Sequence, residues 1–283
     1  MKLKVWAYLL PTFILLSINI FIPFMVSFNY STHNLIAGME AKFVGFGMFE
    51  RALHDSKFTN ALGRNILFMC LVLIIEIPLG IAIAKAIPKT GKLGGLCIIL
   101  ISIPLVLPWI SIGLSWRLMV KSGNFIDTVL ESIGINYSHN NVTQVYLTAL
   151  LCDIWHWTPL TVLVVSAGYA AMRSEPTEAA MIDRASRWAI FRHVELPALG
   201  FPISMAVLLR FMDSLRVFDE PYMMFGDGAY QCVEFISTNI NSSLGAMKFS
   251  YGAATSLVYA FLAFAFFNII QLIITRGRGL KAR

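Results

Sequence analysis

Charge is scarce in this chain. Asp, Glu, Lys and Arg make up 13% of its 283 residues, 57% are hydrophobic, and the mean hydropathy is +0.70. A soluble domain needs polar surface to cover its core, so these values exclude one and indicate a polytopic membrane protein. Cysteine is scarce as well. Cys70, Cys97, Cys152 and Cys232 are scattered, three of them inside apolar runs, and they give neither a disulfide framework nor a metal-ligand spacing. His33, His54 and His139 are too dispersed to frame a metal site. The signatures of nucleotide and acyl-transfer chemistry are missing. Gly91-Lys92 is followed by Leu93 where a phosphate loop requires Ser or Thr, and Ala86 stands where its first glycine belongs. No Gly-x-Ser-x-Gly elbow and no His-Glu-x-x-His helix occurs. The chain reads as neither an enzyme nor the holder of a cofactor.

What is abundant is long apolar runs. A bilayer core about 30 Å thick takes roughly 20 residues of helix. Residues 5–28, 93–116 and 251–275 carry no Asp, Glu, Lys or Arg, 65–84 carries only Glu76, and 145–172 carries only Asp153. A sixth, less apolar run begins at Leu199 and is interrupted by Arg210, Asp213 and Arg216. We therefore expect an all-α polytopic membrane protein, one transmembrane domain over 1–283, with helices at about 5–28, 64–86, 93–118, 145–172, 199–220 and 251–275. The first run is too long for a cleaved signal peptide and no small-x-small site follows it.

The net charge of +6 reports orientation. With the N-terminus inside, the cytoplasmic segments hold 13 Lys and Arg, and the external ones hold seven: Lys42, Arg51, Lys57, Arg64, Arg117, Lys121 and Lys248. All the loops are short enough for the positive-inside rule to apply. Both termini and the loop 173–198 are then cytoplasmic, whereas 29–63, 121–144 and 226–250 are external. The basic bias points to the membrane, not to nucleic acid.

Ionisable groups inside the spans are expensive to leave facing lipid, at least ~2.5 to 3.5 kcal/mol each. Arg210 lies 11 residues after Leu199, about 16 Å along a helix. Arg210, Asp213, Arg216 and Asp219 recur every third residue, which brings opposite charges together on a helix, and Arg216 also reaches Glu220. Two readings stand side by side: mutual neutralisation against neighbouring helices, or the lining of a polar pathway to which Glu76 and Asp153 also belong. The stretch CDIWHWTPL sets Trp155, His156 and Trp157 beside Asp153. Aromatic faces next to a carboxylate suit a sugar-facing wall, and tryptophans near a membrane boundary equally suit interfacial anchors. Pro159 is expected to bend that helix.

Between the fourth and fifth runs lies EPTEAAMIDRASRWAIFRHVELPALGFP. Ser174 or Glu175 starts a helix with Pro176 in its first turn. Ser186 to Glu195 makes a second short helix that Pro197 ends. On physics alone this basic segment could lie on the membrane surface. The order Glu178, Ala179, Ala180, Asp183, Ala185, Phe191, Leu196, Pro197 resembles the coupling loop of the permease subunits of binding-protein-dependent ABC importers. FVGFGMFERALHDSKFTNALGRNILF, WHWTPLTVLVVSAGYAAM and LRVFDEPYMMFGDGAYQCVEFIS resemble the carbohydrate-type permeases, those similar to the maltose and glycerol-phosphate importer subunits. The likeness extends over nearly the whole chain. It implies a type I importer permease, the first of a pair, in a bacterial or archaeal cell membrane. It also implies a second permease as partner, two ATP-binding subunits that carry the ATP, and an external solute-binding protein. Arg184 stands where the family has glycine after the Asp, which bears on the shape of the turn between the coupling helices. Gly226-Asp227-Gly228 stands where the family often has Gly-Gly-Pro. An ion-coupled secondary transporter is the alternative, with Glu76, Asp153 and the Arg210 to Asp219 ladder carrying protons or sodium. Such folds show paired repeats and interrupted helices, and no internal repeat is visible here.

The distribution of 13 basic residues against seven makes the first prediction. Reporter fusions at Arg187 should read as cytoplasmic and fusions within 30–60 as external. An external signal at Arg187 would invert the topology.

Overall fold

The structure, a computed structural model, describes residues 2–35, 41–88, 91–138, 141–226 and 234–279; for 2–5, 7 and 273–279 only the backbone is described. Asp227, Gly228, Cys232, His139 and Lys89 lie outside the described residues. In chain order the elements are α1 (Lys2–Thr32), β1 (His33–Asn34), β2 (Lys42–Phe43), α2 (Gly47–His54), α3 (Ser56–Ala86), α4 (Lys92–Val106) and α5 (Trp109–Met119). They continue with α6 (Phe125–Ser132), α7 (Val142–Ala171), α8 (Glu175–Ile182), α9 (Arg187–Ile190), a π-helical turn at Phe191–Glu195, and α10 (Leu196–Ala198). The last are α11 (Gly200–Ser214), α12 (Asp219–Phe225), α13 (Ile236–Gly245) and α14 (Phe249–Gly279).

Among the described residues four helices are long and apolar enough to cross a membrane, and six spans result if each of two bent pairs counts as one. The bent pairs correct two expected helices. The third span is not one helix over 93–118: α4 and α5 meet at 88°. Pro108 has no N–H to offer the preceding turn and pushes Leu107 to an extended conformation (φ −73°, ψ 140°), so the helix stops there and restarts. The fifth does not run to 220. It stops at Ser214, seven residues before Pro221, and α12 takes Pro221 in its first turn. The Asn65 side chain donates to the carbonyl of Leu215 at 3.1 Å, satisfying a group left open there. The chain before α11 is helical from Arg187 to Ala198, so Pro197 does not end it, and the bend of 69° falls at Leu199. The α7 helix runs unbroken through Pro159. The second span begins at Ser56, earlier than its apolar run, because Asp55 accepts from the backbone N–H of Lys57 at 2.8 Å and starts the helix among polar residues.

The chain forms two compact units, residues 1–62 with 236–264 and residues 63–235 with 265–283. In the first, Phe58, Ala61 and Ile236 make the core. The Tyr251 hydroxyl donates to Asp55 at 2.6 Å, and Arg51 lies 5.9 Å from the Tyr251 ring. Burial pushes the Asp55 carboxyl up, but the Tyr251 hydroxyl, the Lys57 N–H and the Lys57 and Arg51 cations outweigh it and hold the group below the usual range. The side chains of α1 between Tyr8 and Thr32 are almost all uncovered, as suits a helix that lipid or another chain surrounds.

The second unit is ordered by residues spaced at fours. On α3 these are Phe68, Val72, Glu76, Gly80 and Ala84, and on α7 Val145, Ala149, Asp153, Trp157, Thr161, Val165 and Tyr169. Spacing of four builds a ridge along a helix, and ridges of neighbouring helices interlock. One apolar cluster gathers Phe68, Val72, Ile112, Val145 and Ala149, and another gathers Ala84, Val162, Val165, Tyr169 and Leu199. Along both ridges the polar residues Glu76, Asp153 and Thr161 fall between the two clusters. Close approach of α3 to α7 requires Gly80, where a Cβ would lie 2.4 Å from Cγ2 of Thr161. Gly80→Ala should therefore lower the thermal midpoint of the detergent-solubilised protein, overpacking costing about 1 to 3 kcal/mol. Adding Thr161→Ser, which removes that methyl, should recover part of the loss. A midpoint unchanged by Gly80→Ala would contradict this contact.

Candidate functional site

The two ridges converge on one cation. Arg210 of α11 is fully buried. Its Nε donates to Oε2 of Glu76 at 2.7 Å, Nη2 to Oδ2 of Asp153 at 2.6 Å, and Nη1 to Oδ2 of Asp213 at 2.9 Å. Thr161 donates to the other oxygen of Glu76 at 2.9 Å. The guanidinium carbon lies 4.9 Å from the Trp157 ring centroid, a cation–π distance. Arginine carries its donors on three nitrogens in a fixed planar fork, so they can be divided among three carboxylates on three helices. The arrangement ties α3, α7 and α11 together at one level and places more carboxylates than cations there.

The ladder expected along one helix is therefore only half present. Arg210 and Asp213 pair, and Arg216 reaches Asp213 at 3.4 Å with its own side chain 75% exposed. Asp219 belongs to α12 and is not on the same helix. Glu220 pairs not with Arg216 but with Nδ1 of the buried His156, at 2.9 Å. Trp155 and Trp157 do not form one wall. Two residues turn a helix by about 200°, so Trp157 faces Arg210 while Trp155 packs on Trp116, their centroids 6.1 Å apart, and stays largely exposed.

The segment after α7 contains two helices and a turn. Pro176 sits in the first turn of α8, and the Ser186 hydroxyl caps α9 by accepting from the N–H of Ala189 at 3.2 Å. Between them Arg184 adopts φ +55°. The N–H of Ala185 bonds to the carbonyl of Ala180 and that of Arg184 to the carbonyl of Met181, both at 3.0 Å. This is a Schellman turn, whose left-handed position favours glycine, and an arginine there costs about 1 kcal/mol. Glu178, Ala179, Asp183, Leu196 and Pro197 are exposed, Ala180, Ala185 and Phe191 half-buried.

Residues 76–278 match the family described as the binding-protein-dependent transport system inner membrane component. The chain belongs to this family. It is accordingly a multi-pass permease of the inner membrane. The trehalose/maltose transport system permease protein MalF of Thermococcus litoralis is 27% identical over 275 residues, covering 95% of this chain and 92% of that one. The multiple sugar-binding transport system permease protein MsmF of Streptococcus mutans is 26% identical over 251 residues, covering 87% and 83%. A chain from the crystal structure of a bacterial ABC transporter that imports the acidic polysaccharide alginate has the same fold, with a TM-score of 0.79 at 20% identity over 97% of the permease and 96% of that chain. The type I importer permease architecture follows.

The permease thus brings together Glu76, Asp153, Trp157, Arg210 and Asp213, with Arg216 joined to its exposed edge through Asp213, and leaves Trp155 and Asp219 outside the cluster. Sequence reasoning passed over Thr161, although it lies eight residues after Asp153 on the same ridge. It also missed the pairing of His156 with Glu220.

Arg210→Met should strip the buried Glu76 and Asp153 of their counter-charge, costing about 3 to 5 kcal/mol. The double variant with Asp213→Ala should be no better, because two buried carboxylates remain. Adding Glu76→Gln and Asp153→Asn to Arg210→Met should recover stability. Thermal midpoints in detergent decide, and recovery in the Asp213 double variant would refute the shared-cation geometry.

Proposed function

We propose that this permease is the membrane-spanning subunit of an ATP-driven importer of a neutral sugar or related polyhydroxy solute. Its segment 173–198 faces the cytoplasm and docks on ATPase subunits. The observation that carries the docking is the exposure of Met181, Ile182 and Trp188, at 57%, 82% and 66%, beside Glu178 and Ala179 in a segment otherwise rich in charge. Large apolar side chains held out by two short helices form a surface that wants a partner. The family's dependence on a binding protein supports an external solute-binding protein, and the alginate transporter has been solved with its substrate-bound periplasmic protein. A second permease and two ATP-binding subunits, which hold the ATP, complete the assembly. The names of the trehalose/maltose and multiple-sugar relatives support the substrate class. So does Arg210, which three carboxylates already engage, leaving it poorly placed to receive an anionic solute.

In this reading Glu178 meets a cation on the ATPase and Ala180 sits where a larger side chain would strike the docking groove. Glu178→Lys and Ala180→Trp should each cut uptake more than about tenfold, since like charges brought together at an interface cost several kcal/mol. The permease should still insert. The measurement is uptake and binding-protein-stimulated ATP hydrolysis in proteoliposomes holding the whole complex. Wild-type values for both variants, or uptake driven by an ion gradient without ATPase subunits, would refute the reading.

A further inference from the structure

Below the level of Arg210 a second polar contact joins the same three parts of the chain. Glu195, the last residue of the π-helical turn, is buried. Its Oε2 accepts from Lys85 Nζ at 3.0 Å and from the Tyr169 hydroxyl at 3.1 Å. Lys85 stands in the last turn of α3 and Tyr169 in the last turn of α7. The Lys85 ammonium also lies 4.2 Å from the Phe191 ring centroid, so both ends of the π-helical turn grip it. An exposed ion pair would contribute little, but the Glu195 side chain is only 9% exposed and needs its partners. Phe191 thus lies between α3 and the exposed Trp188, whose ring centroid is 5.5 Å from its own.

The spacing gives this contact its meaning. Glu76 and Lys85 are nine residues apart on α3, about 13 Å. On α7 Asp153 and Tyr169 are 16 residues apart, about 24 Å, and Glu195 and Arg210 are 15 apart on either side of the bend at Leu199, so each of the three stretches carries one residue of each contact. Stretches joined to one another at two separate contacts resist sliding, so a displacement of one is passed to the others. We propose that Glu195, Lys85 and Tyr169 form the joint through which the segment 173–198 moves α3 and α7 when the ATPase subunits close. This rests on the importer reading above, and within it Glu195 is a positioning residue.

The test uses the whole complex in proteoliposomes with Mg-AMP-PNP as the probe, so that no solute need be known. Spin labels at Arg187 and Leu151 report the distance from the segment to α7, and a third label on the second permease reports movement of α7 against it. In the wild type the nucleotide should change the second distance and leave the first unchanged. In Glu195→Gln and Lys85→Met the first distance should change and the movement of α7 should shrink by at least about twofold, the lower end for residues that carry coupling. The charge swap Lys85→Glu with Glu195→Lys should regain at least half of that movement. Tyr169→Phe, which removes one hydroxyl, gives the same reading if a charge variant fails to assemble. Full movement of α7 with an unchanged first distance in these variants, or a swap that regains nothing, overturns the joint. A wild-type complex in which neither distance responds to the nucleotide sinks the importer reading instead.

Discussion

An arginine buried in an apolar bundle governs the second unit of this permease. A guanidinium in that position must be surrounded by acceptors, and no single helix can supply them all. Glu76 comes from α3, Asp153 from α7 and Asp213 from α11 itself, so satisfying Arg210 draws three helices to one point. Lipid gives helices no hydrophobic reason to prefer one another over acyl chains, and a shared cation supplies the preference. The apolar clusters on either side then pack against a geometry already set, with Gly80 allowing α3 close enough for Thr161 to reach Glu76.

Much of this is legible along the chain, because apolar run length and stray charges are local signals. All six runs contain helix, and Glu76, Asp153 and Arg210 stand out as acids and a base where lipid would reject them. Their partners are not legible in the same way. A spacing of three finds the pairs Arg210–Asp213 and Asp213–Arg216, whereas the shortest bonds of Arg210 go to residues 134 and 57 positions away and Asp219 falls on another helix. Proline positions carry the rest of the discrepancy. Pro108 breaks a helix that hydropathy alone reads as continuous, while Pro159 leaves α7 intact, because a missing N–H acts differently according to what surrounds it.

The segment after α7 shows the opposite balance. Its motif order identifies it without any structure, yet the motif does not divide its residues by direction. Glu178, Ala179, Met181 and Ile182 are turned outward, whereas Phe191 and Glu195 are turned toward the helices, so one continuous pattern serves two surfaces.

Positions 80 and 184, both in the second unit, ask for glycine for unlike reasons. At 80 the demand is spatial: the neighbour stands where a Cβ would go, and the penalty grows with every atom added. At 184 the demand is angular, since the left-handed backbone crowds the Cβ itself, and among unbranched side chains the cost depends little on what lies further out. Once that fixed cost is met, the length and charge of the side chain are free to be chosen for other ends. The turn at the tip of the exposed segment can therefore carry a long cation, and position 80 can carry nothing.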